Sequence, residues 1–280
     1  MPIDTGLADS QLAQPETQQG GDIVRVPARV YDRAGRRTEQ EQSLVREQPV
    51  TLHLNGREVV TLLCAGHDLE ELAAGFFYAE GFLKDPNDLL EIKVDAPGGT
   101  VLVRTRAEPH LAAKLWSKRT VTSGCGKGSA FYHSLDALLS KPCTSPLRVS
   151  PGQVLDRVEE LNGLSETYRR THGVHNTALA TAGELLVFRD DIGRHNAADM
   201  VVGHVFLKGI HLDDKLLVTT GRLTSEILLK AARVGLPMVV SRNAATSLAV
   251  ELARKLNITL IGYARAGRFT VYSGEERIFD

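Results

Sequence analysis

Gly124, Cys125, Gly126, Lys127 and Gly128 put one thiol and one cation on a run of glycines, within TVTSGCGKGSAFYHSLD at residues 120–136. Flanking glycines suit mobility and close approach to another molecule better than packing. Lys127 stands two residues away, and a helix is expected just downstream, near Ser134 to Leu139. Both its positive end and the ammonium favour the thiolate. Such a group is a candidate functional thiol; the alternative is a small buried hydrophobe. Phosphate cradling is a poor match. A Gly-x-x-x-x-Gly-Lys-Ser/Thr loop needs glycine where Val121 stands and a hydroxyl where Gly128 stands. Zinc deaminase chemistry fails the same kind of test. It needs His-x-Glu or Cys-x-Glu together with Pro-Cys-x-x-Cys. No histidine or cysteine here is followed two residues later by Glu, and Pro142-Cys143 leads into Thr144, Ser145 and Pro146. No metal is expected.

Other segments carry polar chemistry. FRDDIGRHNAADM gathers Asp190, Asp191, Arg194, His195 and Asn196 where a strand gives way to a helix. That is either a polar site rim or a cap with solvated charges. THGVHNTAL supplies His172, Gly173 and His175 ahead of a strand, and GYARAGRF sets Arg265 and Arg268 around Gly267. Paired guanidinium groups suit phosphates, though a hairpin turn with surface arginines has the same pattern. Cys64, ending an apolar strand, and Cys143, in a proline-flanked loop, are weaker candidates than Cys125.

Composition narrows the partners. The formal net charge is -1, so nothing draws the chain in bulk to nucleic acid or anionic lipid, and an anionic ligand must be met by local basic groups. No apolar run has the length of a membrane span. Residues 1–20 are rich in Gln, Ser, Thr and Asp and read as a disordered tail rather than a secretory signal. Three widely separated cysteines suit a reducing cytoplasm and not a disulfide framework.

The elements that must position these groups divide at the proline-punctuated KPCTSPLRVSPGQ. Residues 21–145 read as a smaller α+β domain ending in the cysteine loop. Asn55-Gly56 joins two strands as a hairpin, and Pro97-Gly98-Gly99 turns another pair. Between them HDLEELAAGFFYAEGF reads as a helix, with Asp68 and Glu71 as cap residues and Gly81 as its stop. Residues 146–280 alternate strands and helices, which predicts an α/β domain with a mostly parallel sheet buried on both faces. Helices are expected near 194–208, stopped by Gly209, and on either side of MVVS; ITLIGY and RFTVY close the run as a hairpin. Ligands bind such sheets beyond the carboxyl ends of the strands. There lie Gly221-Arg222, Ser241-Arg242 and Tyr263-Ala264-Arg265, with Thr224 and Thr246 as N-caps of helices whose N-termini would face the same crevice.

Together, ELAAGFFYAEGFL, TSGCGKG, THGVHNTAL, DDIGRHNAADMVVGH, TTGRLTSEILLKAARVGLPMVVS, ATSLAVELA and LIGYARAGRFTVYSG resemble, in order, the formate dehydrogenase accessory sulfurtransferase (FdhD) family across the chain beyond its tail. The resemblance implies a sulfur carrier. It would accept sulfur from a cysteine desulfurase as a persulfide and pass it to molybdenum bis(molybdopterin guanine dinucleotide) before insertion into formate dehydrogenase. It also implies a homodimer and a cytidine-deaminase-like fold without zinc. Cys125 falls at the family's persulfide position. Tyr263, Ala264, Arg265, Ala266, Gly267 and Arg268 fall at its cofactor-binding segment, for which GDP is a partial mimic. Gly128 stands where many members carry a second loop cysteine, leaving a single-thiol relay, and Ala245 stands where a proline is frequent. Two other classes fit the residues: a cysteine-nucleophile hydrolase or transferase acting on a nucleotide-like molecule, with His133, His175 or His195 as base, and a cofactor escort without chemistry of its own.

Overall fold

The computed structural model describes residues 23–106 and 142–279, with the backbone of Glu16–Thr17. That dipeptide, β1, pairs in parallel with Val187 and Phe188; the rest of the expected tail, the cysteine loop and the helix expected near Ser134 lie outside the described residues. A separate antiparallel ribbon follows, formed by β2 (Ile23–Tyr31) and β3 (Arg37–Val45). Then β4 (Gln48–Leu54) and β5 (Arg57–Cys64) form the hairpin expected at Asn55-Gly56, with φ of 50° and 78° at those two residues. Such positive pairs match the twist of the flanking strands, which is why Asn-Gly serves there. Helix α1 (Leu69–Ala79) precedes a second hairpin, β6 (Leu89–Asp95) and β7 (Thr100–Thr105). The resulting four-stranded sheet, ordered β5-β4-β7-β6, buries Val50, Leu52, Leu54, Val101 and Val103 against Leu72 and Phe77 of α1. Alternate residues face the helix because strand side chains alternate with period two.

The second half begins with α2 (Pro151–Leu164) and the short α3 (Glu166–Thr171). Ser150 caps α2 through a reciprocal pair with Gln153: its Oγ accepts the Gln153 N–H at 3.2 Å, while the Gln153 Oε1 accepts the Ser150 N–H at 2.8 Å. There follow β8 (His175–Ala180), β9 (Leu185–Asp191), α4 (Arg194–Lys208), β10 (Leu216–Thr219), α5 (Ser225–Val234), β11 (Met238–Ser241), α6 (Ser247–Leu256), β12 (Thr259–Arg265) and β13 (Arg268–Ser273). They build a sheet of order β1-β9-β8-β10-β11-β12-β13. Leu179, Val187, Leu217, Val239 and Leu260 face α4, α5 and α6. Ala178, Phe188, Leu216, Val218, Met238, Val240 and Ile261 face α2.

The α/β reading holds, and β10, β11 and β12 run parallel across α5 and α6 as expected. The sheet is mixed rather than mostly parallel, however. β8 runs antiparallel to both of its neighbours, and β13 runs antiparallel to β12. The reason lies in Thr181–Glu184. Thr181 N–H reaches the Glu184 oxygen at 2.9 Å, and Thr181 Oγ1 accepts from the backbone of Gly183 and Glu184. A turn that tight has no room for a crossover helix, so β8 and β9 must run antiparallel.

The halves of the chain meet where α1 crosses α4. Cβ atoms built at Gly75 and Gly203 would lie 1.7 Å from the Asp199 oxygen and 1.9 Å from the Glu71 oxygen. Both obstacles are backbone, which cannot swing aside. Gly203→Val is therefore expected to lower the unfolding free energy by about 3 kcal/mol or more in urea titration. Gly163→Ala, with open space around the added carbon near the end of α2, should leave stability unchanged or raise it by up to about 1 kcal/mol.

Candidate functional site

The carboxyl ends of β9, β10, β11 and β12 and the start of antiparallel β8 share one edge of the large sheet: His175 pairs with Asp191, and Thr219 pairs with both Thr177 and Ser241. A pocket of about 390 Å³ opens there. One wall comes from Asn162, Tyr168 and His172 around α2 and α3. The other comes from the strand ends, through His175, Asn176, Thr220, Arg242, Asn243 and Arg265.

Each strand end is tied to the next. Thr220 N–H donates to the Asn176 oxygen, and Asn176 N–H to Thr220 Oγ1, both at 2.9 Å. Ser241 Oγ donates to the Gly221 oxygen at 2.6 Å and accepts from Asn243 N–H at 2.9 Å. Tyr263 N–H reaches the Asn243 oxygen at 3.1 Å. Gly262 is needed for that approach, since a Cβ there would stand 2.8 Å from the Tyr272 ring and 3.0 Å from the Asn243 oxygen. The next residue, Tyr263, sits at φ 52° in a β12 irregularity, and Ala266 also has φ 52° in the turn before β13. Side-chain-bearing residues in that region cost roughly 1–2 kcal/mol each, strain that persists where the surroundings enforce it and that clusters at ligand sites.

Two guanidinium groups gain defined positions from this frame. Arg242 Nη1 donates to Asn162 Oδ1 at 2.9 Å, bridging strand end and helix. The Arg265 guanidinium lies 5.6 Å from the centre of the Tyr263 ring, which is 41% exposed. No lining residue among those described is acidic. Burial, followed by the charges of Arg194, His195 and Arg222, holds His175 below the ordinary histidine range, so it is neutral at pH 7. The edge therefore offers hydrogen-bond donors and net positive charge to an anion.

The expected residues separate. Arg242 and Arg265 line the pocket, and Tyr263 stands beside it. Ala264 is buried in the core facing α2, and Ala266, Gly267 and Arg268 form the exposed turn and its exit. Arg222 is exposed and bears on His175 electrostatically without lining the pocket. Thr246 caps α6 by accepting the Ala249 N–H, whereas Thr224 makes no side-chain cap bond. The acids of FRDDIGRHNAADM do not form a rim. Asp191 is fully buried and accepts the backbone N–H groups of Ala65 and Gly193 and the amide of Asn196, while Asp190 accepts from Ser165. His195 lies 3.2 Å from Glu226. Cys64 is buried, and desolvation with Asp191 nearby pushes its thiol up to about 12, which disfavours the thiolate there. Cys143 is half-buried. Cys125 and His133 lie outside the described residues. Sequence reasoning missed Asn162, Tyr168, Asn176 and Asn243. The two latter adjoin His175 and Arg242 at strand ends and carried that signal; Asn162 and Tyr168 arrive through the packing of α2 and α3.

Residues 45–279 match the model of the FdhD/NarQ family. A Bacillus subtilis relative described as sulfur carrier protein FdhD is 42% identical over 238 residues, covering 85% of this chain and 91% of its own length. A relative of the same description from Staphylococcus aureus is 39% identical over 84% of this chain and 89% of its own. A crystal structure of a candidate formate dehydrogenase accessory protein from Desulfotalea psychrophila superposes with a TM-score of 0.76 at 29% identity, over 92% of this chain and 99% of that one.

The depressed His175 gives a measurable sign. Its folded pKa lies below the ordinary value of 6.5, so on acidification the unfolded chain takes up the proton first. The stability it contributes is present above about pH 6.5 and is lost as pH falls towards the folded value. By NMR, its imidazole should titrate below free histidine. Arg222→Ala should move that midpoint upward, and an unmoved midpoint would show that Arg222 exerts no charge at this edge.

Proposed function

We propose, since the chain belongs to the FdhD/NarQ family, that it is a sulfur carrier serving formate dehydrogenase. The observation that carries the reading onto this molecule is the pocket at the strand ends, which holds Arg242 and Arg265 with no acid among its described lining residues. Its 390 Å³ lies within the range of sites for ligands the size of one nucleotide. It therefore suits one guanine nucleotide end of molybdenum bis(molybdopterin guanine dinucleotide), the cargo, with the rest of that molecule extending outward. Guanidinium groups meet the phosphates, and the Tyr263 face with Arg265 above it offers a stacking surface.

Cys125 carries the sulfur in this reading. Its thiolate attacks the outer sulfur of a cysteine desulfurase persulfide. The donor's S–S bond breaks, the donor cysteine leaves as thiolate, and the outer sulfur remains on Cys125 as a persulfide. Lys127 favours the attacking thiolate, and glycines on both sides let the thiol reach first a donor protein and then the cargo. The carrier acts in the cytoplasm as a homodimer and hands the sulfurated cofactor to formate dehydrogenase.

Two measurements test the two ends of this reading. Incubated with cysteine and a cysteine desulfurase, the protein should gain about 32 Da, the mass of one sulfur on a thiol, mapped to Cys125. Cys125→Ser should remove both the adduct and formate dehydrogenase activity in cells relying on the variant. Cys64→Ser and Cys143→Ser should keep both. A Cys125→Ser protein that still supports the dehydrogenase overturns the carrier role. GDP should bind as a partial mimic, and Arg265→Ala should weaken it by about 1–3 kcal/mol in calorimetry. Unchanged affinity in Arg265→Ala with Arg268→Ala removes that segment from the site.

A further inference from the structure

We infer that the crevice between the N-termini of α4 and α5 holds one oxyanion, a phosphate group, through the Thr224 hydroxyl, first-turn N–H groups of both helices and the basic side chains beside them. Thr224 carries the inference. It is 5% exposed, and its Oγ1 has no partner among the described residues. Buried hydroxyls are almost always hydrogen-bonded, because taking one out of water unpaired is costly. A threonine at the head of a helix ordinarily accepts an N–H of the first turn. Ser150, Ser165 and Thr246 each do so for α2, α3 and α6. Thr224 does not, and Gly193 at the head of α4 has no side chain to offer. Two neighbouring helices thus present their positive ends without a side-chain cap. The buried hydroxyl beside them lacks an acceptor for its own proton. One oxyanion supplies the missing acceptors together.

Side chains hold the two ends together. Arg194 packs on Gly221, where a Cβ would stand 2.9 Å from the Arg194 Cβ, and His195 Nε2 lies 3.2 Å from Glu226 Oε2. The Glu226 charge is thereby met by the imidazole. After burial, the charges of Arg194, His195 and Arg222 are what hold His175 below the ordinary histidine range, so three basic groups converge here. Arg194, His195 and Ser225 are half-buried and Arg222 is exposed, which leaves the crevice open to solvent. It lies on the α4 and α5 face of the large sheet, the face of Leu179 and Leu217, whereas Asn176 in the pocket shares the α2 face with Ala178. The crevice therefore holds its anion whether or not the pocket takes a nucleotide.

NMR of the full chain titrated with inorganic phosphate reads the site through His195, which is not among the residues lining the pocket. Its ring resonances should move and saturate. Thr224→Val, close in shape but without the hydroxyl, should weaken phosphate about tenfold, the factor corresponding to one hydrogen bond to a charged group. Thr224→Ser should restore it. Thermal melting separates this role from a structural one. A hydroxyl without a partner adds nothing to the fold, so Thr224→Val without phosphate should melt at or above the wild-type temperature. Arg265→Ala, in the pocket, should leave the titration at His195 unchanged. Methyl phosphate distinguishes two sources of the anion: binding as tight as phosphate assigns the crevice to a phosphate ester of a larger ligand, and loss of binding assigns it to the free ion. Unmoved His195 resonances overturn the inference, as does a Thr224→Val chain that binds phosphate like the wild type or melts well below it. Equal weakening by Arg265→Ala places the anion in the pocket and overturns it too.

Discussion

Backbone contact between α1 and α4 at Gly75 and Gly203 is the constraint on which the rest of the molecule depends. Helices this close leave no space for side chains between them, so the polar groups of both must find partners along the flanks. Glu71 does so by accepting from Arg189 at 2.6 and 2.8 Å while lying 2.9 Å from His204 Nδ1. Although burial opposes ionisation, those partners hold the Glu71 carboxyl below the ordinary glutamate range. On the next turn of α4, Asp199 pairs with Lys230 of α5 at 2.5 Å, with burial as the larger influence raising its pKa. Buried pairs of this kind add little net stability compared with apolar replacements, but removing one partner costs about 3–5 kcal/mol. They act as geometric locks: the helices approach in one register, and β9, which carries Arg189, is held to α1 by it.

That lock is transmitted to the pocket edge of the large sheet through the end of β9. Asp191 fastens Ala65, which follows β5, to Gly193 at the start of α4. From His175, paired with Asp191, the edge proceeds strand by strand through Thr220, Ser241 and Asn243 to Tyr263. The strained backbone at Tyr263 is sustained by this chain of hydrogen bonds and by the tight fit of Gly262, rather than by any preference of tyrosine for positive φ.

Local chemistry made much of this legible in the sequence. Asn55-Gly56 specifies its hairpin, and Gly209 and Gly235 stop α4 and α5 in the left-handed conformation that glycine adopts without penalty. The strand-end position of Arg242 and Arg265 followed from the alternation of strands and helices. Tertiary competition hid the rest. Asp68 and Glu71 have the spacing of a capping pair, but Arg189, 118 residues from Glu71 along the chain, claims the Glu71 carboxylate. Asp68 takes the N-cap position at φ 47° with no cap bond, and its carboxylate lies 3.4 Å from His67 and 3.6 Å from Arg189. Asp190 and Asp191 read as equally well suited to solvent or site, because nothing local announces that Ser165 and Ala65 will bury them. The turn at Thr181–Glu184 was overlooked for want of a strong dipeptide signal, and with it the antiparallel strand in the sheet.

The pocket draws its walls from Asn162 at one extreme and Arg265 at the other, so no single supersecondary unit contains it. Contacts of such sequence separation are made late, after shorter loops have closed. During synthesis, which delivers N-terminal parts first, the β4–β7 sheet and α1 can emerge and collapse well before Arg265 leaves the ribosome. The pocket is thereby complete only in molecules whose translation has passed β12.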